Sequence, residues 1–142
     1  MKTFAAISIA AALLAGCAAG NVSEIRADPA NAVRLDLDQN YQRVYKNVLD
    51  KMHECIGESW AGVFAQVRIR HALYSDLQEG NIGYVMDNLG VANHYLQVDI
   101  KGLPNNKTRL DAYVHFATWK PHLDRVKAWA VDGQAPCDAP PL

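Results

Sequence analysis

Three cysteines, five histidines and a set of alternating charged residues are the side chains on which chemistry could rest. The histidines His53, His71, His94, His115 and His122 fall on different segments. None stands at metal-ligand spacing from a cysteine, an aspartate or a second histidine on one helix face, so no metal or other cofactor is expected. His53 lies late in a helical pattern, where the negative end of the helix dipole favours a charged imidazole. The sequence has no G-x-S-x-G, no H-E-x-x-H, no P-loop and no G-x-G-x-x-G. More telling are Arg68, Arg70, Gln97, Asp99, Arg109, Asp111, Tyr113 and His115, each at the polar position of an alternating run. Such residues would line one sheet face. Cross-strand charge pairs on a solvated face, each worth about 0.2–1 kcal/mol, account for them simply. The functional alternative is a docking face for a protein or glycan partner, since arginine beside aromatics suits interfaces. Catalysis by an Asp/His pair would need a nucleophile and an oxyanion donor beside it, and no motif supplies either.

The cysteines divide by their surroundings. Lys2 precedes an Ala-, Leu- and Ile-rich run over residues 4–19, interrupted by Ser8. This has the form of a secretory leader and is short of the about 20 apolar residues that a membrane-spanning helix needs. It contains Leu14-Ala15-Gly16-Cys17. That tetrapeptide resembles the lipobox of bacterial lipoproteins at every position. The resemblance covers the leader alone. It implies cleavage before Cys17, diacylation of the Cys17 sulfur and acylation of the new amino group. Ala18 follows where aspartate tends to retain such proteins in the inner membrane, which implies the outer membrane, with the domain facing the periplasm or the cell surface. Membrane lipid is then the first expected partner, because two or three acyl chains anchor stably where one does not. An ordinary secretory signal with a chance cysteine is the plainer alternative.

Once Cys17 is assigned to lipid, Cys55 and Cys137 remain, 82 positions apart. An exported chain meets an oxidising compartment, where an even pair usually bonds. Two buried thiols or a redox pair are the alternatives, the latter without C-x-x-C spacing.

These residues need elements to hold them. The chain has 142 residues, half of them hydrophobic and 20% charged, with a net charge of −1 and a pI near 6.5. That suits one domain and lacks the basic excess of a nucleic-acid binder. Residues 1–16 read as signal peptide, 17–34 as lipidated anchor and flexible tether reaching roughly 20–25 Å, and 35–142 as one domain. Apolar residues from Leu37 through Tyr41, Val44, Val48 and Met52 to Ile56 repeat in steps of three and four. This predicts a helix over 37–56, opened by an Asp36–Gln39 capping box and closed by Gly57. Period-two patterns predict four strands: from Val63 to Tyr74, over 82–87, over 94–101 and over 108–116, the last with Phe116 facing inward. A helix follows, with Pro121 in its first turn, a stripe of Trp119, Leu123, Val126 and Ala130, and Trp129 at the stripe's edge.

The expected fold class is α+β: a two-layer sandwich of a four-stranded antiparallel sheet with N- and C-terminal helices on one face. The layout is similar to helix-grip-like domains of some envelope lipoproteins, in topology only, and transfers no function. The leading expectation is a non-catalytic, lipid-anchored envelope domain. A small-ligand binder is the alternative, with Trp60, Tyr84, Tyr95 and Tyr113 lining a cavity between sheet and helices. An envelope enzyme would require His71 or His115 to meet a carboxylate.

Overall fold

The computed structural model describes residues 20–138. The leader and Cys17 lie outside them. The elements in chain order are α1 (Val22–Ala27), β1 (Ala32–Leu37), α2 (Tyr41–Cys55), β2 (Ser59–Trp60), β3 (Ala65–Tyr74), β4 (Glu79–Asn88), β5 (Val91–Leu103), β6 (Lys107–Val114) and α3 (Lys120–Val131). Single 3₁₀ turns precede β1, β6 and α3. The strands form one open antiparallel sheet in the order β1-β6-β5-β4-β3-β2. The class is α+β, as the alternation implies, but the sheet has six strands rather than four.

Both added strands have local causes. Val33, Leu35 and Leu37 alternate with Arg34 and Asp36 and pair with β6, with Leu35 opposite Leu110. Leu37 also fits the helical stripe, which drew the predicted helix too far back. The chain leaves β1 before the helix, and Asn40 rather than Asp36 caps α2, its side chain accepting from the Gln42 N–H at 2.9 Å. The strand β2 is two residues long and has no period to read.

The helices α2 and α3 cover one face. Tyr41, Val44, Tyr45, Val48 and Met52 of α2 are buried against Ile82, Leu96, Val98, Ile100 and Leu110 of the sheet. From α3 come Leu123, Val126 and Trp129. Trp129, expected at an edge, is wholly buried, and its indole N–H donates to the Pro136 carbonyl at 3.3 Å. Trp119, at the N-cap position of α3 without a capping hydrogen bond, is half-buried and packs against the core. Phe116 is exposed rather than inward, because it lies beyond the end of β6. Gly57 stops α2 as expected, with φ +70° and its N–H on the Met52 carbonyl at 2.9 Å. Cys55 and Cys137 are disulfide-bonded, tying the end of α2 to the segment after α3.

Residues 20–34, expected to form part of a flexible tether, are built into the domain. Asn21 and Glu24 make a full capping box that starts α1, and Ile25 is only 2% exposed. Their polar, glycine- and proline-containing composition concealed a six-residue helix carrying a single apolar anchor. This α1 lies on the sheet face opposite α2 and α3, so the helices do not all share one face. Among the described residues no helix is long and apolar enough to cross a membrane.

Candidate functional site

The polar face of the sheet is the place where the predicted site residues meet. Alternation from the buried Val98 and Leu110 puts Gln97, Asp99 and Lys101 of β5 and Arg109, Asp111 and Tyr113 of β6 on it. Arg34 and Asp36 of β1 join them, as do Arg68 and Arg70 of β3 and Asp87 of β4. His115 follows β6 and packs edge-on to Phe116. The eight expected residues therefore share a face, but it is not an open one.

The segment at α1 lies across its middle. Arg26 grips Asp99 with two hydrogen bonds, Nε to Oδ2 and Nη2 to Oδ1, both 2.6 Å. Gln97 adds a third donor to Asp99 at 2.9 Å and is itself buried. The geometry answers a conflict in the sequence. Asp99 and Asp111 stand directly opposite each other across β5 and β6, where like charges destabilise. Arg26 neutralises one and Arg34 the other, Arg34 Nε donating to Asp111 Oδ1 at 2.6 Å. Both guanidiniums are held even more firmly protonated than usual by hydrogen bonds to these carboxylates.

The remaining charges pair in the same way. Arg109 binds Asp36 at 2.9 Å and holds its carboxyl below the usual range. Lys101 reaches Glu79 at 3.0 Å, and Arg70 pairs with Asp87. Tyr113 sits opposite Gln97, and burial followed by the nearby Asp111 and Asp99 raises its phenol. Two clefts of about 280 and 350 Å³ flank Arg26, which lines both together with Asp111. Tyr74, Asn81 and Lys101 close the first, and Pro29, Arg34 and Tyr113 the second.

Arg26 is the principal residue that sequence reading missed. Its signal was the Asn21-x-x-Glu24 capping box with an isolated isoleucine, Ile25, directly after it. The Arg26→Ala variant is expected to lose about 1 kcal/mol of stability in chemical denaturation, since the pair is partly exposed. Adding Asp99→Asn should recover part of that loss, because the opposed carboxylates would then no longer both be charged. An unchanged midpoint in the single variant would show that the arginine does not offset the Asp99–Asp111 repulsion.

Two histidines are set against charge by their surroundings. Burial lowers His94, and Arg70 and Arg26 add to the effect while Asp87 opposes it. Burial and Arg125 lower His122, whose ring stacks on Trp119 at 4.6 Å. The Nδ1 atoms of both are buried without a hydrogen-bond partner among the described residues. Their folded values lie below the ordinary value of about 6.5, so the unfolded chain binds more protons in that window. The stabilising contribution is full above about pH 6.5 and is lost as pH falls through that value towards the folded ones. A series of denaturation midpoints from neutral pH down to the upper carboxylate range should show this fall, reduced in His94→Gln. An identical slope in the variant would remove His94 as a cause.

Other expected constellations are placed differently. His71 meets the Tyr45 hydroxyl at 2.8 Å rather than a carboxylate. Tyr84 and Tyr95 pack on Trp119 on the helix-covered face, with ring centroids 5.5 and 5.2 Å away. Tyr113 is on the opposite face and Trp60 is exposed, so the four aromatics do not line one cavity. Glu54, Cys55 and Cys137 bring possible metal ligands within 4.8 Å of one another, yet both sulfurs are consumed by their mutual bond. Compared with known proteins, the chain matches no protein-family model and no curated protein sequence.

Proposed function

We propose that this protein is a lipid-anchored component of the bacterial cell envelope whose folded domain binds a partner rather than catalysing a reaction. The observation that carries the reading is the division of the cysteines. Cys55 and Cys137 bond to each other, which suits an oxidising compartment and leaves Cys17, after its apolar leader, as the third sulfur. Acylation there anchors the chain, with sorting to the outer membrane implied by Ala18.

The charged face around Arg26 supports a binding role. Its carboxylates are each engaged by arginine or lysine, which suits a rigid, hydrogen-bonding surface of fixed charge pattern. A protein or glycan partner is the class that such a surface recognises. A photoreactive residue placed at Asn81, on the rim of one cleft, tests this in intact cells. One reproducible protein or glycan adduct is the expected result. Labelling of bulk lipid alone contradicts the binding role.

A second reading is a small-ligand binder. It is favoured by the two clefts beside Arg26, which lie on the outer sheet face rather than between sheet and helices.

A further inference from the structure

We propose that the β4–β5 end of the sheet is a membrane-contacting edge, seated in the interfacial zone of the same bilayer that holds the lipid on Cys17. The inference rests on the lipid-anchor reading. Its first support is composition. Residues 59–67 and 88–98 contain no aspartate, glutamate, lysine or arginine, in a chain that is 20% charged. Pairing brings these two stretches to one end: Ala65 faces Asn88, Asn88 faces Val91, and the Leu89 N–H donates to the Phe64 carbonyl at 3.4 Å. Trp60, Val63, Phe64, Leu89 and Val91 are all exposed there, Val63 at 83% and Leu89 at 77%. Apolar side chains gathered at one tip mark a contact surface, and tryptophan suits the headgroup level of a membrane. The opposite end of the sheet carries Asp76, Glu79, Lys101 and Lys107.

The second support is where the chain enters the domain. Gly20 accepts a hydrogen bond from the His94 N–H at 2.9 Å, three residues along β5 from Val91. That is about 10 Å from the tip. Gly20 is held closely, because a Cβ there would stand 2.8 Å from the His115 ring. Three chain steps separate Cys17 from Gly20, which reach at most about 11 Å. With about 5 Å between the hydrogen-bonded backbones at Gly20 and His94, an acylated Cys17 therefore lies within roughly 26 Å of the apolar tip at the farthest. With residues 20–34 packed on the sheet, no long spacer lifts this end away. A bilayer is thus the occupant that the chain's own connectivity presents to the tip.

The test uses the full lipidated protein in vesicles of phosphatidylethanolamine and phosphatidylglycerol with brominated acyl chains. Tryptophan emission is compared with that of Trp60→Phe. The expected result is quenching that is largely lost with Trp60→Phe, and weakened in Phe64→Ser and Leu89→Ser, both at exposed positions. Unquenched Trp60 in protein whose Cys17 carries acyl mass overturns the proposal and leaves the anchor intact. A protein partner covering this end would give that same unquenched result. Missing acyl mass on Cys17 removes the anchor and the proposal together.

Discussion

Replacing Cys17 with serine is expected to move the protein almost completely from the membrane fraction to the soluble one. The effect is large because burial contributes about 0.8 kcal/mol per acyl methylene, and serine removes the sulfur that would carry the diacyl group. The apolar tip cannot compensate, since a few interfacial side chains do not replace two acyl chains. The fold should be unaffected. Cys17 lies outside the described domain, and the bond between Cys55 and Cys137 does not involve it. Fractionation of cells expressing wild type and Cys17→Ser, with a thermal melt of each, checks both halves. Retention of the serine variant in the membrane fraction contradicts the anchor.

The second large effect concerns the bridge between Cys55 and Cys137. It closes a loop spanning 82 positions. Chain entropy puts its contribution at about 4–5 kcal/mol for a loop of that size. Domains of this kind have about 5–15 kcal/mol in all, so the double variant Cys55→Ala/Cys137→Ala should lose a large part of its stability. Packing makes the loss local as well as global. The bridge holds the segment that buries Ala135 and offers the Pro136 carbonyl to Trp129. Denaturant titration of the oxidised protein and the double variant measures the difference. A shift below about 1 kcal/mol would mean that the packing of Trp129 alone holds the segment.

The elements with a clean period were legible. Leu96, Val98 and Ile100, and Leu110, Ala112 and Val114, alternate in sequence and are buried as a set. The stripe from Tyr41 to Met52 is the buried face of α2. Where two periods overlap, the reading slipped. Leu37 satisfies both a strand ending at that residue and a helix starting there, and only pairing with Thr108 of β6 decides between them. Trp129, read at the stripe's edge near the bridge, is wholly buried, and its indole N–H donates to the Pro136 carbonyl beside Cys137, a contact that helical spacing does not show.

The polar face was half legible. Alternation identified which side chains of β5 and β6 share it, and cross-strand pairing was the simplest account of their charges. It could not show that α1 crosses that face. A six-residue helix held by one isoleucine and one arginine has too few apolar positions for a period. The opposition of Asp99 and Asp111 is a matter of register, which becomes visible only once the β5–β6 hairpin is aligned. That opposition is what requires a cation from elsewhere in the chain, and Arg26 supplies it.

The central claim is that Cys17 carries lipid, and the mass of the processed N-terminus tests it most directly. Tandem mass spectrometry of protein purified from its own membrane should find Cys17 as the first residue, with two acyl chains on a glyceryl thioether and a third on its amine. A free Cys17 thiol, or a chain still carrying residues 1–16, would contradict the account.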